Sequence, residues 1–244
     1  MILRPVLVAL ALWLLGGQAA WAQSIGIDFG QGGSLSGSSL KLIALITGLS
    51  LAPGALLMLT CFPFMVTVLA ILRQGIGLQQ SPPNMLMIAL ALFLTWFVME
   101  PVLTEVWANG IGPFFREELD AETAFKRTWE PLRLFMAENL DPETYIAFAS
   151  LKGAEIANLP AEEAHISVLV PSFMISEISR AFEVGFLIFL PFLVIDLVTA
   201  AILMSMGMMM VPPALVSLPF KLAFFVLADG WALLAQTLVR SYGT

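Results

Sequence analysis

The run VGFLIFLPFLVIDLVTAAILMSMGMMM, Val184–Met210, decides the fold. Asp196 is its one charge in 27 residues, and no polar face recurs along it. A helix of about 20 apolar residues crosses about 30 Å of hydrocarbon. In lipid a helix also satisfies its own backbone polar groups. The stretch therefore predicts a membrane helix. Three others share its character, Leu40–Leu72, Met85–Trp107 and Ala214–Val239. The expected fold is all-α, with a first helical hairpin over 40–107 and a second over 171–244.

Composition supports this reading. The 244 residues are 59% hydrophobic and 12% charged, whereas an ordinary soluble domain is about 25% charged. Lipid or partner subunits must cover the surplus apolar surface. A net charge of −7 with 11 basic residues and no basic run argues against nucleic acid. The single Cys61 leaves no internal disulfide or multi-cysteine metal site, and the single His165 removes most zinc and proton-shuttle constellations. No metal or cofactor is expected.

The charges gather between the hairpins. Residues 108–170 hold eleven carboxylates and five basic residues, nearly the whole net charge of the chain. They read as a small acidic insert with helices of its own. Asp141 is placed to cap a helix that has Pro142 at its first position and Gly153 as its stop. Phe125, Trp129, Leu132, Phe135 and Met136 recur near helical spacing, with a break expected at Pro131. These aromatics suit a small core or a subunit contact better than a ligand site.

Residues 1–22 read as a signal peptide. Arg4 is the positive n-region, Val6–Leu15 the short apolar run and Ala20-Trp21-Ala22 the cleavage site. A Gly/Ser-rich linker, 23–39, follows. An outside N-terminus puts the Arg73–Asn84 loop inside, where Arg73 agrees with the positive-inside bias, and the acidic insert outside. Pro63-Phe64 before Pro82-Pro83 echoes Pro191-Phe192 before Pro212-Pro213. Duplication and convergent turn chemistry both account for the echo.

Six charged residues lie in or beside the second hairpin: Glu177, Arg180, Glu183, Asp196, Lys221 and Asp229. A central Asp costs about 2.5–3.5 kcal/mol on insertion, so Asp196 calls for a partner or water. Arg180 stands three residues from both Glu177 and Glu183. Lys221 and Asp229, eight apart, fall on one face of a continuous helix. Structural or assembly pairs fit these spacings better than an ion relay. Met204, Met206, Met208, Met209 and Met210 place five methionines in seven positions. Methionine is soft and reseals around varied shapes, so either a yielding pore ring or helix-end packing is open. Gly48/Ala52 and Ala181/Gly185 permit close helix approach. No phosphate loop, HExxH, GxSxG or dinucleotide fingerprint occurs.

Several motifs together resemble the FliP family. They are Asp196-Leu197-Val198, Gly207-Met208-Met209-Met210-Val211-Pro212-Pro213, Leu218-Pro219-Phe220-Lys221-Leu222 and Phe225-Val226-Leu227-Ala228-Asp229-Gly230-Trp231. Ser81-Pro82-Pro83-Asn84, Ala89-Leu90-Ala91-Leu92-Phe93-Leu94-Thr95 and Pro131-Leu132-Arg133 add to them, so the likeness covers about Leu40 to Tyr242. Cys61-Phe62-Pro63 departs from the family pattern.

The resemblance implies a non-enzymatic subunit of the flagellar type III export gate, in the bacterial inner membrane at the basal body. Several copies would form a ring with FliQ-like and FliR-like membrane subunits and pass unfolded flagellar proteins. Met208, Met209 and Met210, with Met204 and Met206 beside them, would be its gasket. The hairpins would rise toward the periplasm in the assembly, and the flagellar branch is favoured over its virulence-type relatives. The competing reading is a four-span secondary transporter or ion channel using Asp196, Lys221 and Asp229. A membrane-embedded enzyme fits poorly with the lone histidine.

Overall fold

The structure, a computed structural model, describes residues 35–78, 81–208 and 210–243. The expected signal peptide, and the linker as far as residue 34, lie outside the described residues; Leu35 already belongs to the first helix. The long helices are α1 (Leu35–Met58), α2 (Phe62–Ile76), α3 (Asn84–Val106), α4 (Ala121–Asn139), α5 (Pro142–Lys152), α6 (Ile166–Ser205), α7 (Pro213–Leu227) and α8 (Gly230–Arg240). No strand occurs among the described residues. The fold is all-α.

Helix α6 is the spine of the unit from Leu51 onward, and α2, α4, α5 and α7 all pack on it. At 40 residues it is about 60 Å long, twice the hydrocarbon thickness of about 30 Å. Its N-terminal part packs against α4 and the start of α5, with Val168, Leu169 and Phe173 buried. Its C-terminal part displays Phe186, Leu187, Leu193, Val194, Leu197 and Val198 on the outside. One helix thus joins a folded polar unit to a membrane-type surface. Asn84–Phe115 and Ile166–Ser205 are long and apolar enough to cross a membrane among the described residues, and counting each bent pair as one span makes four.

The α2–α6 contact explains one of the two small-residue pairs, Ala181/Gly185, whereas a Cβ on Gly48 would meet nothing within 4 Å. Phe64, Met65, Val68, Leu69, Leu72 and Ile76 form a buried stripe at helical spacing. Opposite them stand Ala181, Gly185 and Phe192. A Cβ on Gly185 would lie 2.4 Å from Ile71 Cδ1. Gly185 thus lets the two backbones close on each other.

Four expectations need correction. The first and fourth apolar stretches are not continuous helices. In the first, α1 ends at Met58; the Thr60 hydroxyl donates to the Leu57 carbonyl at 2.8 Å and accepts from the Phe62 N–H at 3.2 Å. Pro63 sits in the first turn of α2, where a missing N–H costs nothing. In the fourth, α7 and α8 meet at a 63° bend, with Asp229 left-handed at φ 48°. Lys221 and Asp229 therefore do not share a helix face. The break expected at Pro131 does not occur, and α4 runs through it. Burial of Pro131, Leu132, Phe135 and Met136 outweighs the cost of about 3 kcal/mol for an interior proline. Finally, Pro63 opens a helix while Pro191 lies inside one, so the echoed Pro-Phe pairs do different work.

Candidate functional site

Helix α6 stops because Gly207 takes φ 76°. The Gly207 N–H donates to the Met204 carbonyl at 3.0 Å and the Met208 N–H to the Leu203 carbonyl at 2.9 Å. This double closure is a Schellman cap, and it needs a residue without a Cβ penalty at the left-handed position. Four residues later Pro212 caps α7, and Pro213 opens it. The cap and the prolines display the methionines at the tip of the α6–α7 hairpin.

Those methionines are not packing a core. Met204 and Met206 are more than half exposed, Met208 is exposed and Met210 is 98% exposed. Met209 lies outside the described residues. The four described thus keep a large part of their surface clear of their own chain, Met208 the least at 38%. Unbranched thioether side chains standing open at a hairpin tip suit a contact with other chains.

About two turns behind the tip, the two arms are tied by charge. The Lys221 ammonium donates to Asp196 Oδ2 at 2.6 Å and to the Gly75 carbonyl at 3.0 Å. Ser217 donates to Asp196 Oδ1 at 2.5 Å. Lys221 is 5% exposed, whereas a third of the Asp196 side chain is open. Gly75 stands in the last turn of α2, whose terminal carbonyls have no partner within the helix. One lysine thus balances a mid-helix carboxylate and caps a neighbouring helix.

A second buried group sits higher on α6. Arg180 Nη2 lies 3.0 Å from Glu177 Oε1, and Glu177 is fully buried. The Tyr242 hydroxyl donates to Glu177 Oε2. The guanidinium lies over two rings, 4.2 Å from the Tyr242 centroid and 4.7 Å from that of Phe64, a placement the ring quadrupoles favour. Tyr242 also stacks on Phe135 of α4 at 6.0 Å. Residue 242 therefore ties the end of the chain to α2, α4 and α6.

Of the six charged residues singled out in the sequence, four form these two pairs. Glu183 is exposed and stands apart from Arg180's partner. Asp229 is exposed at the α7–α8 bend. Sequence reasoning missed Ser217, the Gly75 carbonyl and Tyr242. Ser217 sits one turn before Lys221, a signal that was available. Nothing in local spacing links Tyr242 to a glutamate 65 positions earlier.

In the insert, α4 and α5 start alike, Asp120-Ala121-Glu122-Thr123 and Asp141-Pro142-Glu143-Thr144. Asp141 Oδ2 accepts from the Thr144 hydroxyl at 2.7 Å and its N–H at 2.8 Å. Asp120 accepts from the N–H groups of Glu122 and Thr123. Hydrogen bonds from the threonines, side chain first and then backbone, hold both carboxyls below the usual range. The expected Asp141 cap, Pro142 start and Gly153 stop are all present.

No group of three or more His, Cys, Asp or Glu among the described residues is arranged to hold a metal. The FliP family profile matches residues 45–238. The flagellar biosynthetic protein FliP of Caulobacter vibrioides is 46% identical over 237 residues, 97% of this chain and 89% of that protein. Its Rhizobium meliloti counterpart is 49% identical over 213 residues, 86% of each chain. The Aquifex aeolicus protein of the same name is 43% identical over 237 residues, 96% of this chain and 98% of that one. With most of its length matched by both profile and relatives, the chain belongs to the FliP family.

Proposed function

We propose that this membrane protein is a subunit of the flagellar type III protein-export gate. Its copies surround a pore that the methionine tips of the α6–α7 hairpins close. Family membership makes it a flagellar biosynthesis protein and not an enzyme. The observation that carries the pore reading is the exposure of Met204, Met206, Met208 and Met210 on a hairpin that Gly207 caps. Lipid or partner chains must cover such apolar surface, and a ring of soft tips buries it around an axis. Met209, between two of them in sequence, joins the same gasket.

The same reading has FliQ-like and FliR-like membrane subunits completing the ring, and unfolded flagellar proteins as its cargo. It sets the chain in the inner membrane at the basal body, with the insert of 108–170 in the periplasm. The first hairpin, the insert and the second hairpin form the working parts. Glu177–Arg180 holds the subunit in shape and Asp196–Lys221 joins the arms of the second hairpin, while Glu183 and Asp229 face outward toward neighbours. The transporter alternative gains no support, because Lys221 and Asp196 neutralise each other and Asp229 stands apart.

The test is the native mass of the complex extracted in mild detergent, with the chain expressed alone and then with the FliQ-like and FliR-like subunits. A discrete homo-oligomer that gains mass with the partners is the expected result. A monomer or dimer indifferent to them would overturn the gate reading.

A further inference from the structure

We propose that the Asp196–Lys221 pair is the positioning clamp of the methionine gasket: it fixes the register of α6 against α7, and so where the tip stands. The inference rests on the gate reading above. It goes beyond that reading in naming the residues that set closure without touching the cargo.

The placement is nearly symmetric. Asp196 lies nine residues before the end of α6 and Lys221 eight residues after the start of α7, so each is about 12–14 Å from the tip along its own helix. Among the described residues, the side-chain hydrogen bonds that join the two arms are those of Lys221 and Ser217 to Asp196. Beside them lie ring contacts, Phe192 against Phe224 and Phe225 at 6.2 and 6.3 Å. Ring packing tolerates sliding. A carboxylate held from both oxygens does not, because charge-assisted hydrogen bonds weaken steeply with distance and angle.

The third bond gives the clamp a fixed reference. Lys221 also donates to the Gly75 carbonyl, so register is set against α2 as well as between the arms. Helix α2 is in turn locked on α6, where a Cβ on Gly75 would lie 3.0 Å from the Phe192 ring. Moving the tip along the hairpin axis therefore requires one of three polar bonds to break inside an apolar surround. An apolar pair fills the same space with no directional preference, and buried ion pairs are often replaceable in this way without loss of stability.

The experiment uses the full complex with its partner subunits and compares three chains with the native one: Met208→Ala, Asp196→Asn, and Asp196→Leu combined with Lys221→Met. Native mass reports assembly, and ion conductance across the membrane reports closure. The clamp variants are expected to reach native mass and to leak about tenfold above the native complex, a shift of about 1.4 kcal/mol in the closed–open balance. The double variant carries no unpaired charge, so its leak reports lost register. Clamp variants of native mass that stay tight while Met208→Ala leaks would overturn the clamp and leave the gasket standing. Clamp variants that never reach native mass would also overturn it, by assigning the pair to folding. A tight Met208→Ala complex would remove the gasket itself.

Discussion

Tyr242, just after α8, donates its hydroxyl hydrogen bond to the buried carboxylate of Glu177. Its ring covers the Arg180 guanidinium that faces the same carboxylate. Tyr242→Phe keeps the ring and removes one donor from a fully buried acceptor. Leaving such a group unsatisfied costs about 1–3 kcal/mol, so the variant should unfold at lower temperature in detergent. Tyr242→Ala should cost more, because the stack on Phe135 and the cover over Arg180 go too. An unchanged melting temperature for Tyr242→Phe would mean that water or a partner supplies the missing donor.

The α2–α6 interface makes a steric prediction. Gly185 has no room for a side chain, because Ile71 Cβ and Cγ2 each stand 3.2 Å from where its Cβ would be. Gly185→Leu should destabilise the chain by about 1–3 kcal/mol through overpacking and reduce its yield as an assembled complex. Gly48 is the control, since nothing lies within 4 Å of a Cβ there. Gly48→Ala should leave the melting temperature unchanged or raise it, as removing an interior helix glycine does. Equal losses at the two positions would refute the close-approach argument.

The insert should respond to acid through its caps. Asp141 is held below the usual carboxylate range by Thr144, so the folded state keeps it ionised at pH values where the unfolded chain, near about 3.9, takes up a proton. A depressed folded pKa means that the cap's contribution is complete above the unfolded value and disappears as pH falls through the folded one. Asp141→Ala should therefore lower the melting temperature at pH 7, with the gap to the native chain narrowing toward pH 3. Asp120, which is held low in the same way, should behave alike. A gap that stays constant with pH would show that the carboxylate charge plays no part in the cap.

What the sequence made legible divides by range. Local signals were readable: the Asp141-Pro142 start and Gly153 stop lie within a dozen residues of one another and act through backbone geometry. The methionine tip was likewise visible, because Gly207 and Pro212-Pro213 are themselves the turn. Uniform hydrophobicity concealed the breaks. Leu59–Cys61 and Ala228–Asp229 sit in runs where hydropathy alone does not separate a long helix from two bent ones. Pro63 and Gly230 were the available clues there. Pro131 misled in the other direction, since tertiary burial overrode a local breaker. Partners across the chain were out of reach. Arg180 had two carboxylates at equal spacing, and only packing against Phe64 and Tyr242 selects Glu177 over Glu183.

The methionine tip separates stability from closure. Met210 is 98% exposed and Met206 is 66% exposed, so truncating either removes almost no contact within the chain. Met206→Ala and Met210→Ala should leave the unfolding free energy of the isolated chain within about 0.5 kcal/mol of native, as surface substitutions do. In the assembled gate the same truncations open gaps between neighbouring tips, and ion leak should rise while protein export continues. Leucine in place of Met210 tests what methionine adds. It matches the apolar character but is branched and stiffer, so it should seal the resting pore and slow passage of chains with bulky side chains. If Met210→Ala destabilises the isolated chain and leaves conductance unchanged, the tip is packing its own subunit and the gasket is elsewhere.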